Sequence, residues 1–133
     1  MLKPRLRELL NNCRDLTGVA VVGRDGIPLD METRGEFDAS TLAAEFADVV
    51  KGLQNRLVDA KMGTLNGMIV ETDGHRILIE PIAADYFALG LVHGTGRMAR
   101  ARFQLRRILP DIADDLRRIP GRPAPVPRRR GLD

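Results

Sequence analysis

The glycine-rich stretch His93-Gly94-Thr95-Gly96-Arg97 has the clearest potential for chemistry in this chain of 133 residues. A glycine loop that opens a helix can bind a phosphate group through its backbone N–H groups. This loop lacks the Gly-Lys-Ser/Thr ending of a P-loop. We therefore interpret it as a connection between a strand and a helix, in which Thr95 can cap the helix.

The other reactive residue types form no recognisable site. His75 and His93 are the only histidines, and neither has a second ligand at a metal-binding spacing. Asp25 and Asp73 each precede a glycine, where aspartate is favoured for turn hydrogen bonds. Cys13 is the single cysteine, which excludes an internal disulfide and fits a reducing cytoplasm. We predict no catalytic residue, no metal site and no cofactor, and we do not expect an enzyme.

Positive charge is concentrated near the end of the chain. The formal net charge is +3, and 11 of the 18 arginines follow residue 96. Residues 120–133 are rich in proline and arginine, which predicts a disordered tail. Within it, Arg128, Arg129 and Arg130 could contact an anionic partner, whether nucleic acid, acidic lipid or an acidic protein. A tail that serves only solubility is the alternative.

The hydrophobic pattern predicts the elements that carry these residues. An apolar helical stripe comes first: Leu2, Leu6, Leu9, Leu10 and Cys13. Residues 17–32 then read as a hairpin around Asp25-Gly26, because glycine accepts the positive φ of a tight turn. In its second strand Ile27, Leu29 and Met31 share one face.

The rest of the chain predicts a long helix, three strands and a last helix. The long helix spans residues 39–61, with Asp38 or Ser40 as its cap. Its buried stripe consists of six residues: Leu42, Phe46, Val49, Val50, Leu53 and Leu57. Strands follow at residues 64–72, 75–81 and 86–93, and a helix kinked at Pro110 spans residues 97–119. This order predicts an α/β sandwich, with a five-stranded antiparallel sheet between helices, in one domain of residues 1–119.

Several short motifs, in their order and spacing, resemble the roadblock domain family, which is named for a dynein light chain and includes bacterial GTPase regulators. The motifs are Gly18-Val19, Asp25-Gly26, Ile27-Pro28-Leu29, Ile77-Leu78-Ile79-Glu80-Pro81 and Tyr86-Phe87-Ala88-Leu89. The second helix also shares the alanines of the family at positions 39, 43, 44 and 47. The resemblance covers about residues 2–119.

The resemblance implies an α-β-β-α-β-β-β-α fold with the first hairpin at one sheet edge and the third strand at the other. It implies a cytoplasmic homodimer that pairs third strands, sets second helices side by side and binds a small Ras-like GTPase, with no small-molecule substrate. The implied dimer residues are Leu65, Met68, Val70, Phe46, Val50 and Leu53. The implied GTPase-binding residues are Asp48, Lys51, Asn55 and Asp59.

The residues at the two expected edges agree with this arrangement. Pro28 has no N–H to donate, so its strand suits an edge that stays unpaired. Residues 64–72 contain no proline and no charge before Glu71, and we expect Met68 and Val70 to be exposed there. Coverage of this edge by another part of the chain is the structural alternative. The functional alternative is a non-GTPase adaptor or sensory scaffold, which docks through its basic C-terminal end.

Overall fold

In the part of the chain that the structure describes, three helices and five strands follow one another in the predicted order. The computed structural model describes residues 2–36, 38–83 and 85–119. The elements are α1 (Lys3–Asn12), β1 (Leu16–Gly23), β2 (Pro28–Thr33), α2 (Ala39–Asp59), β3 (Met68–Glu71), β4 (Arg76–Ile82), β5 (Tyr86–Val92) and α3 (Met98–Arg117). The expected tail, residues 120–133 with Arg128, Arg129 and Arg130, lies outside the described residues.

The five strands form one antiparallel sheet in the order β2-β1-β5-β4-β3. The first hairpin therefore occupies one edge and β3 the other, which confirms the predicted edges. The inner strands β1, β5 and β4 carry apolar residues on both faces, because both faces are covered.

Helices cover the two faces unequally. Helices α1 and α3 pack on one face, where Leu6, Leu105 and Ile112 are fully buried. On the other face α2 is the one helix among the described residues, and its buried partners in the sheet include Val22, Ile79 and Leu89. The predicted sandwich is confirmed. Helix α3 continues through Pro110 to Arg117, so the proline does not end it.

The first hairpin turns as predicted, although its second strand contains a bulge. Gly26 has a φ of 81°, and the Ile27 N–H donates to Asp25 Oδ1 at 3.0 Å. The pairing register shifts between Val21 and Val22, so that Leu29 has no direct partner on β1. As a result, Leu29 packs with the α1–α3 side and Met31 with the α2 side. The prediction that they share a face is wrong.

Candidate interaction surface

Helix α2 packs against the sheet through alanines. Asp38 is the cap, and its Oδ1 accepts the Ser40 N–H at 2.9 Å. Ala39, Ala43 and Ala47 are the buried residues of the helix. A methyl group occupies little depth, so α2 can approach the hairpin closely, and a Cβ on Gly26 would lie 3.0 Å from Ala44 Cα. The helix therefore covers the sheet with its smallest side chains.

The larger apolar residues of α2 lie beside this alanine stripe. Phe46, Val50, Leu53, Leu42 and Leu57 are only half-buried, and Val49 is 50% exposed. The sequence placed these six residues on the buried stripe, and for Val49 that expectation is wrong. Phe46, Val49 and Leu53 follow one another at spacings of three and four residues, so they lie on one side of the helix. We call them the apolar flank of α2.

Strand β3 is shorter than predicted, because residues 64–67 precede it as an irregular segment. Leu65 is 7% exposed, and its N–H donates to Gln54 Oε1 at 2.8 Å, so it supports the strand from inside the chain. Met68 and Val70 are half-buried on the α2 side, whereas Ile69 is 41% exposed. The residue exposed on this strand is therefore Ile69, and not Met68 and Val70 as expected.

Four polar residues predicted to contact a partner lie together on α2. Asp48, Lys51, Asn55 and Asp59 follow one another at spacings of three or four residues, and all are exposed. This polar face is separated around the helix from the apolar flank. The helix thus presents two chemically different surfaces.

A buried carboxylate joins β4 to α3, and the sequence alone did not single it out. Glu80 is 1% exposed and accepts from Arg102 Nε at 3.1 Å and Arg106 Nε at 2.5 Å. Arg106 Nη2 also donates to the Asn66 carbonyl at 3.2 Å, in the segment that leads into β3. We call this group the Glu80 clamp. Its signal in the sequence is one acidic residue within an apolar strand and two arginines four residues apart.

The glycine loop before α3 packs against Asp15 of the same chain. Asp15 Oδ1 accepts the Arg97 N–H at 2.7 Å at the start of the helix, and this bond holds the pKa of Asp15 below its ordinary value. Thr95 does not cap α3, because its hydroxyl lies 2.9 Å from His93 Nδ1. A Cβ on Gly96 would lie 3.0 Å from Asp15 Cα, so this glycine serves close packing. The arrangement favours the connecting role over phosphate binding.

The described residues offer no other reactive centre. Cys13 is 1% exposed, and burial raises the pKa of its thiol, which disfavours the reactive thiolate. Within residues 2–36, 38–83 and 85–119, no group of three His, Cys, Asp or Glu side chains could hold a metal ion. No helix in this part of the chain has the length and apolar character needed to cross a bilayer.

Comparison with protein families matches the Roadblock/LC7 domain over residues 3–92. A search of the curated proteins finds no match. Among solved structures, one of MglB with a tetrameric arrangement has 12% identity and a TM-score of 0.75, over 84% of this chain and 85% of that one. Myxococcus xanthus MglB has 9% identity and a TM-score of 0.74, over 86% and 97%. Myxococcus xanthus MglC has 24% identity and a TM-score of 0.61, over 86% and 98%. At these identities the structures show a shared fold.

Proposed function

The chain belongs to the Roadblock/LC7 domain family, and from this membership we propose that it is a homodimeric regulator of a small Ras-like GTPase. It acts in the cytoplasm as an activator or a scaffold. It supplies no catalytic residue of its own and works by positioning the groups of its partner. Residues 1–119 form the regulating domain, and residues 120–133 form a tail that this activity does not need. Family membership carries the proposal, and the structural observation that supports it is the pair of separate surfaces on α2.

The apolar flank and β3 support self-association. Val49 and Ile69 are about half exposed, and a second copy related by two-fold symmetry would remove both from water. Within the described residues no strand lies beside the outer edge of β3, and an open edge favours pairing with another strand. The proposed interface therefore contains Phe46, Val50, Leu53, Met68 and Val70 from the sequence prediction. The structure adds Val49 and Ile69 as the exposed contacts.

The polar face of α2 supports a separate GTPase contact. Asp48, Lys51, Asn55 and Asp59 are exposed. They point away from the apolar flank, so a second copy and a GTPase can occupy α2 together. This assignment rests on the family membership, since an exposed polar helix face alone is usually only hydrated.

Self-association is tested by sedimentation of Val49→Asp against Val58→Asp. Both valines are 50% exposed on α2, so neither change disturbs a buried contact. Val58 has Gln54 and Asn55 one turn earlier, whereas Val49 lies between Phe46 and Leu53. We expect Val49→Asp to raise the dimer dissociation constant at least about tenfold, because it loses apolar burial and places a carboxylate in the interface. A wild-type protein that sediments as a monomer at micromolar concentration would refute the dimer.

Regulation is tested by measuring GTP turnover of a co-purified small GTPase with and without this protein. We expect altered turnover or stable binding, and weaker binding by Lys51→Glu. Arg14→Glu makes the same charge reversal at an exposed position after α1, and both this control and a chain ending at residue 119 should retain the effect. If turnover is unchanged and no binding is detected, the proposed function is wrong. If binding depends on residues 120–133 and not on Lys51, the adaptor alternative is correct.

A further inference from the structure

The charges at the start of α3 oppose the dipole of the helix, whereas Arg117 in its last turn agrees with it. Arginines crowd its beginning: Arg97, Arg100, Arg102, Arg106 and Arg107. Aspartates follow in its second half: Asp111, Asp114 and Asp115. Cations near a helix N-terminus are unfavourable, because the free N–H groups there already carry partial positive charge. The arginines at the start of α3 therefore do not stabilise the helix through its dipole.

Only part of this positive charge is neutralised within the chain. Arg102 and Arg106 bind the buried Glu80. Arg100 is 61% exposed, and its Nε lies 3.9 Å from Asp15 Oδ2, which is the limit of an ion pair. For the exposed Arg97 and Arg107, no carboxylate of the described residues lies within ion-pair distance. The first half of α3 therefore presents a net positive charge to solvent, which Asp15 offsets only in part.

An exposed aromatic ring lies at the centre of these cations. Phe103 is 61% exposed on the outer side of α3. Arg100 precedes it by three residues and Arg107 follows it by four, so all three side chains lie on one face of the helix. We call Arg100, Phe103 and Arg107 the α3 patch. A phenylalanine in water gains free energy when a partner covers it.

We propose that the α3 patch docks this protein onto an anionic lipid bilayer. Guanidinium groups bind the acidic headgroups, and the ring of Phe103 enters the boundary between headgroups and acyl chains. The following sequence adds Arg122, Arg128, Arg129 and Arg130 with no acidic residue before Asp133, which supplies a second electrostatic attraction. A bilayer fits better than a nucleic-acid strand, which is usually held in a basic groove with several aromatic rings.

Bilayer docking leaves the proposed α2 surfaces free. Helix α3 lies on the sheet face opposite to α2. A protein bound through the α3 patch therefore keeps its apolar flank and its polar face accessible. The docking proposal is independent of the identity of the protein partner.

The test is sedimentation of the full chain with phosphatidylcholine vesicles, with and without an equal part of phosphatidylglycerol. We expect binding only to the anionic vesicles, weakening as salt is added. Arg100→Gln with Arg107→Gln should weaken binding about 30-fold, which corresponds to about fivefold for each positive charge removed from the bilayer surface. Phe103→Ser should weaken it about tenfold through lost apolar burial.

The matched control is Arg56→Gln with Lys61→Gln, which removes the same charge from exposed positions on and after α2. This control should bind as the wild type does, and thermal unfolding verifies that each variant is folded. Equal weakening by the control and the patch variants would show only a general charge effect and overturn the proposal. Failure to bind anionic vesicles, including a case in which single-stranded RNA binds instead, would also overturn it. So would binding that requires residues 120–133 and is unaffected by the patch variants.

Discussion

Neutralising Glu80 should destabilise the fold through loss of the Glu80 clamp. In Glu80→Gln the amide keeps one acceptor oxygen, but its NH₂ group replaces the other and can only donate towards the arginines. At least one charge-assisted hydrogen bond is lost, which costs about 1.5–3 kcal/mol. The loss should stay below the about 3–5 kcal/mol that is typical of breaking a fully buried ion pair. The reason is that the Arg102 and Arg106 side chains remain 36% and 45% exposed and can be hydrated.

We therefore expect Glu80→Gln to lower the free energy of unfolding by about 2–3 kcal/mol. At about 4 °C per kcal/mol for a domain of this size, the midpoint of thermal unfolding should fall by about 10 °C. Urea unfolding followed by circular dichroism measures the free energy, and calorimetry measures the midpoint. Because Arg106 also holds the segment before β3, self-association should weaken as well.

Glu32→Gln is the matched control for this experiment. Glu32 also pairs with one arginine, at 3.3 Å from Arg7 Nε, but the two side chains are 22% and 63% exposed. Pairs of this kind contribute about 0–1 kcal/mol, so the control should change stability little. If Glu80→Gln unfolds within about 0.5 kcal/mol of the wild type, the clamp does not stabilise the fold and our reasoning is wrong.

Two further predictions concern the hairpin and the helix layer. Gly26→Ala should lower the free energy of unfolding by about 2–3 kcal/mol in urea, because alanine disfavours a φ of 81° and the new Cβ meets Ala44. Gly74→Ala is the control and should be nearly neutral, because Gly74 has open space around it and no positive φ. Equal losses in the two variants would contradict the argument. Arg5 donates a hydrogen bond to the Asp115 carboxylate and so lowers the pKa of Asp115. The stability that this bond contributes is complete above the ordinary pKa of 3.8 and is lost as the pH falls through the pKa of the folded state. Asp115→Asn should therefore be about 1 kcal/mol less stable than the wild type at neutral pH, with the difference vanishing in acid; a constant difference at all pH values would refute this linkage.

The local patterns predicted the order of elements because each pattern is physically strong. Alternating apolar strands, the Asp25-Gly26 turn and the apolar stripe of α1 each favour one conformation by themselves. The two sheet edges were implied by the family resemblance, and Pro28 at one end and the proline-free segment before Glu71 at the other agreed with it. These features depend on residues near in sequence, or on the family order of the elements.

The details of α2 depend on distances that the sequence does not contain. The periodic stripe favoured its large apolar residues as the buried face. Close approach of the helix to the hairpin instead selected Ala39, Ala43 and Ala47, and left Val49 half exposed. The bulge at Leu29 reversed the face of one residue for a similar reason, since a single unpaired residue shifts the alternation that follows.

The Glu80 clamp was missed because its members come from distant parts of the chain. Nothing local indicates that Arg102 and Arg106 will meet Glu80 across more than 20 residues. A charged residue inside an otherwise apolar strand does indicate that some partner must exist, because an unpaired buried charge is costly. Such a residue predicts a partner without identifying it.

The central position of β1 determines when this chain can fold during synthesis. Strand β1 pairs on one side with β2, which follows it directly, and on the other with β5, where Leu16 faces Val92. Until β5 has left the ribosome, the inner edge of β1 has no neighbour and α1 lacks α3 above the same core. We expect the six elements before β5 to remain unfolded at that stage, and the complete domain to fold in milliseconds to seconds. A nascent chain that stops before Tyr86 would therefore expose the apolar strand β1 to chaperones and proteases.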